Sequence, residues 1–300
     1  MGKRPKGKAL RVVLIGLFIL ALLVTALQPA LADATVGETV VTLGKDLTPS
    51  QREAVLQEMG VDPNAVTIVE VTNAEEHRYL GNILPKSAIG RRAISSAKIT
   101  LEQPGSGVNV ETHNITWVSE SMYVNALLTA GVKDATVYVT APIPVSGTAA
   151  LTGIVKAFEQ ATNTSISEEQ KQVANEEMVR TAQLGEKIGD PDKAAELMLR
   201  LKEELAKQGG QLSDEALRQL IINVAGDLNI QLSDQDVAQL AELLRRIASL
   251  PIDWASVRDQ VALVRDNLDQ ILNAEETRSV LRAFLDFLVA LFDAVARLFG

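Results

Sequence analysis

Near Asn163 the residue pattern of this chain changes period, and that change limits the folds open to it. Before it, β-branched runs such as Ala65 to Thr72, with Val66, Ile68, Val69 and Val71, alternate with capped helical segments. After it the strand signal ends and only helix punctuation recurs. Side chains alternate across a strand but return to one face of a helix about every 3.6 residues, so the two halves need different architectures. The reading is a mixed β-sheet with helices over residues 33–162, of α+β or α/β class, followed by an all-α helical bundle over 163–300.

Element ends are marked locally. Thr39 to Leu43 reads as a strand; Thr48, Pro49 and Gln51 then supply an N-cap, a first-turn proline and a capping box for a helix that Gly60 stops. Asn73 is placed to cap a short helix running toward Leu80. Ala93 to Leu101 and Val108 to Ile115 flank Pro104-Gly105-Ser106-Gly107, which predicts a β-hairpin. A helix over Ser119 to Ala130 ends at Gly131. A strand over Ala135 to Ala141 is pinned by Pro142 and Pro144, and a helix covers Thr148 to Ala161. Farther on, Ile166-Ser167-Glu168, Leu212-Ser213-Asp214 and Leu232-Ser233-Asp234 each pair a serine cap with a first-turn acid. The last two form an internal repeat. With breaks at Gly189-Asp190-Pro191, Gly209-Gly210, Pro251 and Asn273 or Ala274, six or seven helices are expected.

The N-terminal residues read as an address. Lys3, Arg4, Lys6, Lys8 and Arg11 precede an apolar run from Val12 to Ala26, and Ala30-Leu31-Ala32 forms a small-residue cleavage site before Asp33. Residues 1–32 are expected to be a signal peptide cleaved after Ala32, leaving a secreted or cell-envelope protein. Without them 24 Lys plus Arg face 38 Asp plus Glu, a net charge of −14. Nucleic acid is therefore not expected as a partner, because phosphate binding draws on clustered cations. The chain has no cysteine, which removes disulfides, thiol chemistry and thiolate metal sites.

Candidate chemistry is sparse. Neither His77 nor His113 stands in a metal-ligand spacing, so no metal and no cofactor is expected. Asp227, Asn229, Gln231 and Ser233 begin like a calcium loop, but Leu232 and Ala238 stand where a glycine and a bidentate acid belong, and the segment reads as a linker between capped helices. Lys86, Ser87, Arg91 and Arg92 read as a solvated loop. The stretch from Ala141 to Gly153 runs from a strand end into a helix start, where free N–H groups can receive an anion. Ser146, Gly147, Thr148 and Thr152 are the candidate ligand-binding residues there, with Asn73, Glu76 and His77 as secondary candidates. The alternative for the same small residues is close packing of helix on sheet. Between Arg278 and Gly300 the apolar side chains wrap most of a helix, which is read as buried in the fold, self-associating, or touching a membrane or protein partner.

The segments Val71 to Gly81, Ser106 to Val110, Asn114 to Val118 and Pro144 to Gly153 resemble the YpuA-like family, secreted proteins of Gram-positive, endospore-forming bacteria that carry a domain of unknown function. The resemblance spans nearly all of the chain after the leader. It implies an extracellular bacterial protein and transfers no catalytic residue. The expected function is a non-enzymatic binding or interaction module, with a protein or cell-wall component as partner. A hydrolase, or a small-ligand or anion-binding protein with its site at the strand ends, is the alternative.

Overall fold

Capping chemistry sets most element boundaries in the computed structural model, which describes residues 36–273. The described elements run β1 (Thr39–Gly44), α1 (Pro49–Glu58), β2 (Thr67–Val71), α2 (Asn73–Leu80), α3 (Lys86–Ile89), β3 (Ser96–Leu101), β4 (Val108–Ile115), α4 (Glu120–Ala130), β5 (Ala135–Val145) and α5 (Thr148–Thr162). Five helices follow: α6 (Glu168–Ile188), α7 (Pro191–Lys207), α8 (Asp214–Asp227), α9 (Asp234–Ser249) and α10 (Trp254–Asn273). Thr48 with Gln51, Ser167 with Gln170 and Ser233 with Asp236 each close a reciprocal capping box. Asp190 caps α7 ahead of Pro191. The cap of α2 is Thr72, boxed with Glu75, and Asn73 is the first helical residue, a shift of one from the sequence reading. Lys86 and Ser87, expected in a loop, begin the single turn of α3. The expected leader and the apolar segment from Arg278 lie outside the described residues.

The mixed sheet has the order β2-β1-β3-β5-β4. Two parallel pairs, β1 with β2 and β5 with β4, flank antiparallel pairings of β3 with β1 and with β5. The expected hairpin between β3 and β4 is absent, because β5 inserts between them: Leu101 and Val108 both face Ala135. Two facts explain it. Val137 and Val139 of β5 are fully buried, so this strand gains most at the sheet centre. The Gly105 and Gly107 N–H groups, both at positive φ, donate to Asp134 Oδ1 at 3.0 and 3.1 Å, tying the glycine loop to the entrance of β5. β5 also runs on to Val145, through Pro142 and Pro144, past its predicted end. Its pairing with β3 stops at Thr140, so beyond that point the missing proline N–H groups cost no bond on that flank.

Alternation along the strands makes two unequal faces. On one, Val40, Ala97, Ile99, Val137 and Val139 meet α4 and α5. On the other, α1 covers Val41 and Leu43, and Glu58 at its end accepts from Thr140 Oγ1 (2.7 Å), His113 Nδ1 (2.7 Å) and Tyr138 OH (2.9 Å). The helix α5 lies close on β1: a Cβ at Gly153 would sit 2.6 Å from Thr42 Oγ1. Only a residue without a side chain fits at Gly153 at this distance. The first core continues from α4 and α5 into Ala174 and Met178 of α6, Ala195 and Leu199 of α7, and Val257, Val261 and Val264 of α10. A second core, among them Leu197, Leu201, Ile221, Leu240 and Leu244, joins α6 to α9. Among the described residues no helix is long and apolar enough to cross a membrane.

Candidate functional site

At the start of α5 the protein sets an acid of its own, Glu76, against the hydroxyl of the first helical residue. Gly147, at φ +93°, is the N-cap. From α2, Glu76 reaches under this turn and accepts from Thr148 Oγ1 at 2.8 Å and from Asn73 Nδ2 at 3.2 Å. Ser146 Oγ lies 3.3 Å from Thr148 Oγ1, and the Tyr123 hydroxyl donates to the Gly147 carbonyl at 2.5 Å. Glu76 is 3% exposed; burial pushes its carboxyl above the usual range, against the opposing bonds from Thr148 and Asn73. Burial likewise pushes the Tyr123 phenol far up. Two expected groups of candidates therefore meet, Ser146, Gly147 and Thr148 with Asn73 and Glu76, as a packed internal cluster. His77 turns away and donates from Nε2 to the Gly90 carbonyl at 3.0 Å. Adjacent helix positions point in different directions, which is why Glu76 and His77 part.

One turn along α5, Thr152 opens onto a pocket of about 210 Å³ walled by α2, α5 and α6. Glu75, Arg78 and Tyr79 come from α2, Lys156 and Glu159 from α5, Glu168, Lys171 and Asn175 from α6, with Val155 beside Thr152. Each helix contributes one acid and one base three residues apart. Three ion pairs join different helices, Glu75 to Lys156 at 2.7 Å, Glu159 to Lys171 at 2.9 Å and Glu168 to Arg78 at 2.7 Å, and within α6 Lys171 also reaches Glu168 at 3.4 Å. The result is a closed ring of alternating charge with no net sign. Burial would raise the Glu75 carboxyl, but the Lys156 ammonium and the Thr72 cap outweigh it and hold it below the usual range. Burial would lower the Lys171 ammonium, but Glu159 outweighs it and keeps it above the usual range. Tyr79 donates to Glu168 Oε2 at 3.2 Å, and burial together with that carboxylate pushes its phenol up.

Two residues of this wall carry buried side-chain oxygens without partners, Thr152 Oγ1 and Asn175 Oδ1. The Asn175 amide nitrogen is already committed to the Lys171 carbonyl at 2.8 Å. Thr152 was legible as a candidate from the strand-to-helix segment; the other wall residues were not. Their only sequence signal is an acid and a base three apart on three helices, a spacing that ordinary solvated faces share. Among the described residues no three His, Asp or Glu side chains gather as metal ligands.

Fold and site together define an α+β protein with a mixed five-stranded sheet, a helical second half and a charge-ringed pocket at their junction. The chain belongs to the family described as Protein of unknown function (DUF1002), whose model matches residues 43–264. It is 46% identical over 278 residues to Uncharacterized protein YpuA of Bacillus subtilis (strain 168), covering 93% of this chain and 95% of that one. No solved structure matches it.

Proposed function

We propose that this chain is an exported, non-enzymatic binding protein that holds a small polar ligand in the pocket between α2, α5 and α6. The observation that carries the reading is the pair of orphan oxygens, Thr152 Oγ1 and Asn175 Oδ1, on residues 4% and 1% exposed. A buried polar atom without a partner costs about 1–3 kcal/mol, so such atoms persist where something else satisfies them. A single water needs only about 10–15 Å³. The pocket's roughly 210 Å³ is well beyond that, yet below the about 300 Å³ at which drug-sized ligands begin to fit. The Thr152 hydroxyl has no base within hydrogen-bond reach, which favours binding over nucleophilic chemistry. The other orphan oxygens among the described residues do not line this pocket: Ser119 Oγ and Asn125 Oδ1 belong to α4 and its cap, and Glu177 Oε1 is held by Lys202. Export rests on the basic and apolar leader and its Ala30-Leu31-Ala32 site.

Fractionation of the native host tests the address: processed protein is expected outside the cytoplasm, and intact protein confined to the cytosol would refute export. Thermal-shift screening against amino acids, sugars, polyols and small anions tests the pocket, since a ligand that binds the folded state raises Tm with concentration. Thr152→Val is expected to raise the Tm of the free protein, by removing an unpaired hydroxyl, and to abolish the ligand-induced rise. A rise that survives both Thr152→Val and Asn175→Leu would place binding elsewhere and end the proposal.

A further inference from the structure

Building on the pocket assignment just made, we infer that its ligand is a small zwitterion, a free α-amino acid or a dipeptide, recognised by exchange of partners within the ring of charges. Every charge in the ring is already paired, so an incoming ligand must replace what it disturbs. The innermost pair, Lys171 with Glu159, shows the constraint most clearly, their side chains being 14% and 19% exposed. A lone anion that took Lys171 would leave the Glu159 carboxylate only the Ile166 N–H at 2.8 Å, and a lone cation that took Glu159 would leave the Lys171 ammonium only its longer 3.4 Å pairing with Glu168. Leaving one partner of a buried pair uncompensated is the costly outcome, whereas exchange that keeps all charges paired is not. A zwitterion satisfies both sides at once: its carboxylate takes the cation and its ammonium takes the acid.

The unpartnered oxygens of the wall agree with this polarity. One N–H of the Asn175 amide goes to the Lys171 carbonyl, and its Oδ1 is an acceptor without a partner, which suits an ammonium donor. Thr152 Oγ1 can donate to a carboxylate beside it. Three bases, Arg78, Lys156 and Lys171, against three acids, Glu75, Glu159 and Glu168, give the mouth no net preference for either sign. The volume suits a molecule of a few heavy atoms. Tyr79, the one aromatic side chain among the described lining residues, has the Arg78 guanidinium 5.7 Å over its ring, which takes one face of the only platform on which a sugar could stack.

The test is calorimetric titration of the protein purified from its host with glycine, alanine and glycylglycine. Sodium acetate, methylammonium chloride, N-acetylglycine, glycinamide and glycerol serve as comparison probes at matched ionic strength. The zwitterions are expected to bind at least about tenfold more tightly than any probe bearing one charge or none, a factor worth about 1.4 kcal/mol. Lys171→Met and Asn175→Leu should each remove most of that advantage while the circular dichroism of the fold is kept; Thr152→Val, nearly isosteric, covers the case in which Lys171→Met fails to fold. If glycerol or a singly charged probe binds as well as glycine and loses its binding in Asn175→Leu, the pocket reading stands and the zwitterion assignment falls. If no probe of any charge binds, the pocket assignment falls and takes this inference with it.

Discussion

Glu76 illustrates how one side chain decides what a helix start can do. The free N–H groups and dipole of α5 favour negative charge nearby, while removal from water disfavours it. Desolvation wins, since the Glu76 carboxyl lies above its ordinary value in spite of the Thr148 and Asn73 bonds. The sign of the pH effect follows. The native state binds this proton more tightly than the unfolded chain does, so Glu76 costs nothing at low pH. Its cost grows as pH rises from the ordinary value of 4.5 toward the raised native one. Glu76→Gln keeps an acceptor for Thr148 and removes the titration. Urea midpoints at about pH 4 and about pH 8 should therefore diverge, with the variant gaining on the native chain at the higher pH. A difference that does not change with pH would show that Glu76 is adequately solvated where it stands. Sequence alone put Asn73, Glu76 and His77 together as neighbours; the helix keeps the first two on one face and sends the third to Gly90.

At the scale of elements, what was legible was what is decided locally. Ser167, Ser213 and Ser233 each accept from the backbone N–H three residues on, so their helices begin where a reader of caps would begin them. Strand order was not legible, because the insertion of β5 depends on Asp134, twenty-seven residues from Gly107, and on burial that no local window displays. The pocket was hidden for the same reason: α2 and α6 are far apart in sequence, and nothing in Glu75-Glu76 or Glu168-Glu169 says that they share a wall. The junction of α4, α6 and α7 hides another long-range device. Lys202 pairs with Glu177 at 2.7 Å and donates to the Asn125 carbonyl at 2.6 Å, with Thr129 donating to the same carboxylate. Both charged side chains are essentially inaccessible, and burial lowers the Lys202 ammonium in spite of Glu177. Removing one partner leaves a buried charge, so Lys202→Met should lose about 3–5 kcal/mol by urea unfolding. The double variant Lys202→Met with Glu177→Leu should lose far less than the two single losses added together. Additive losses would mean that the two groups contribute through packing alone.

For the whole molecule, the decisive arrangement is that α6 and α7 serve both cores. Ala174, Met178 and Ala182 of α6 face the sheet-side core, while Val173 and Leu184 of the same helix face the helical one. In α7, Ala195 and Leu199 lie on the first side, Leu197, Leu201 and Leu205 on the second. Separating the chain near Asn163 would strip one face from each of these helices and expose Lys202 and Glu177, whose partners Asn125 and Thr129 sit on α4. Neither half then keeps a closed surface, and partial unfolding exposes the apolar faces of α6 and α7. A single cooperative transition is expected. The two tryptophans report it from different places: Trp117 packs against the sheet-side core, and Trp254 against both cores. In Trp117→Phe the remaining fluorescence follows Trp254 alone, and its urea midpoint should coincide with that of far-ultraviolet circular dichroism, with calorimetric and van't Hoff enthalpies equal. Two separated midpoints would show instead that the halves hold together less strongly than each holds itself, and that α6 and α7 can surrender one core while keeping the other.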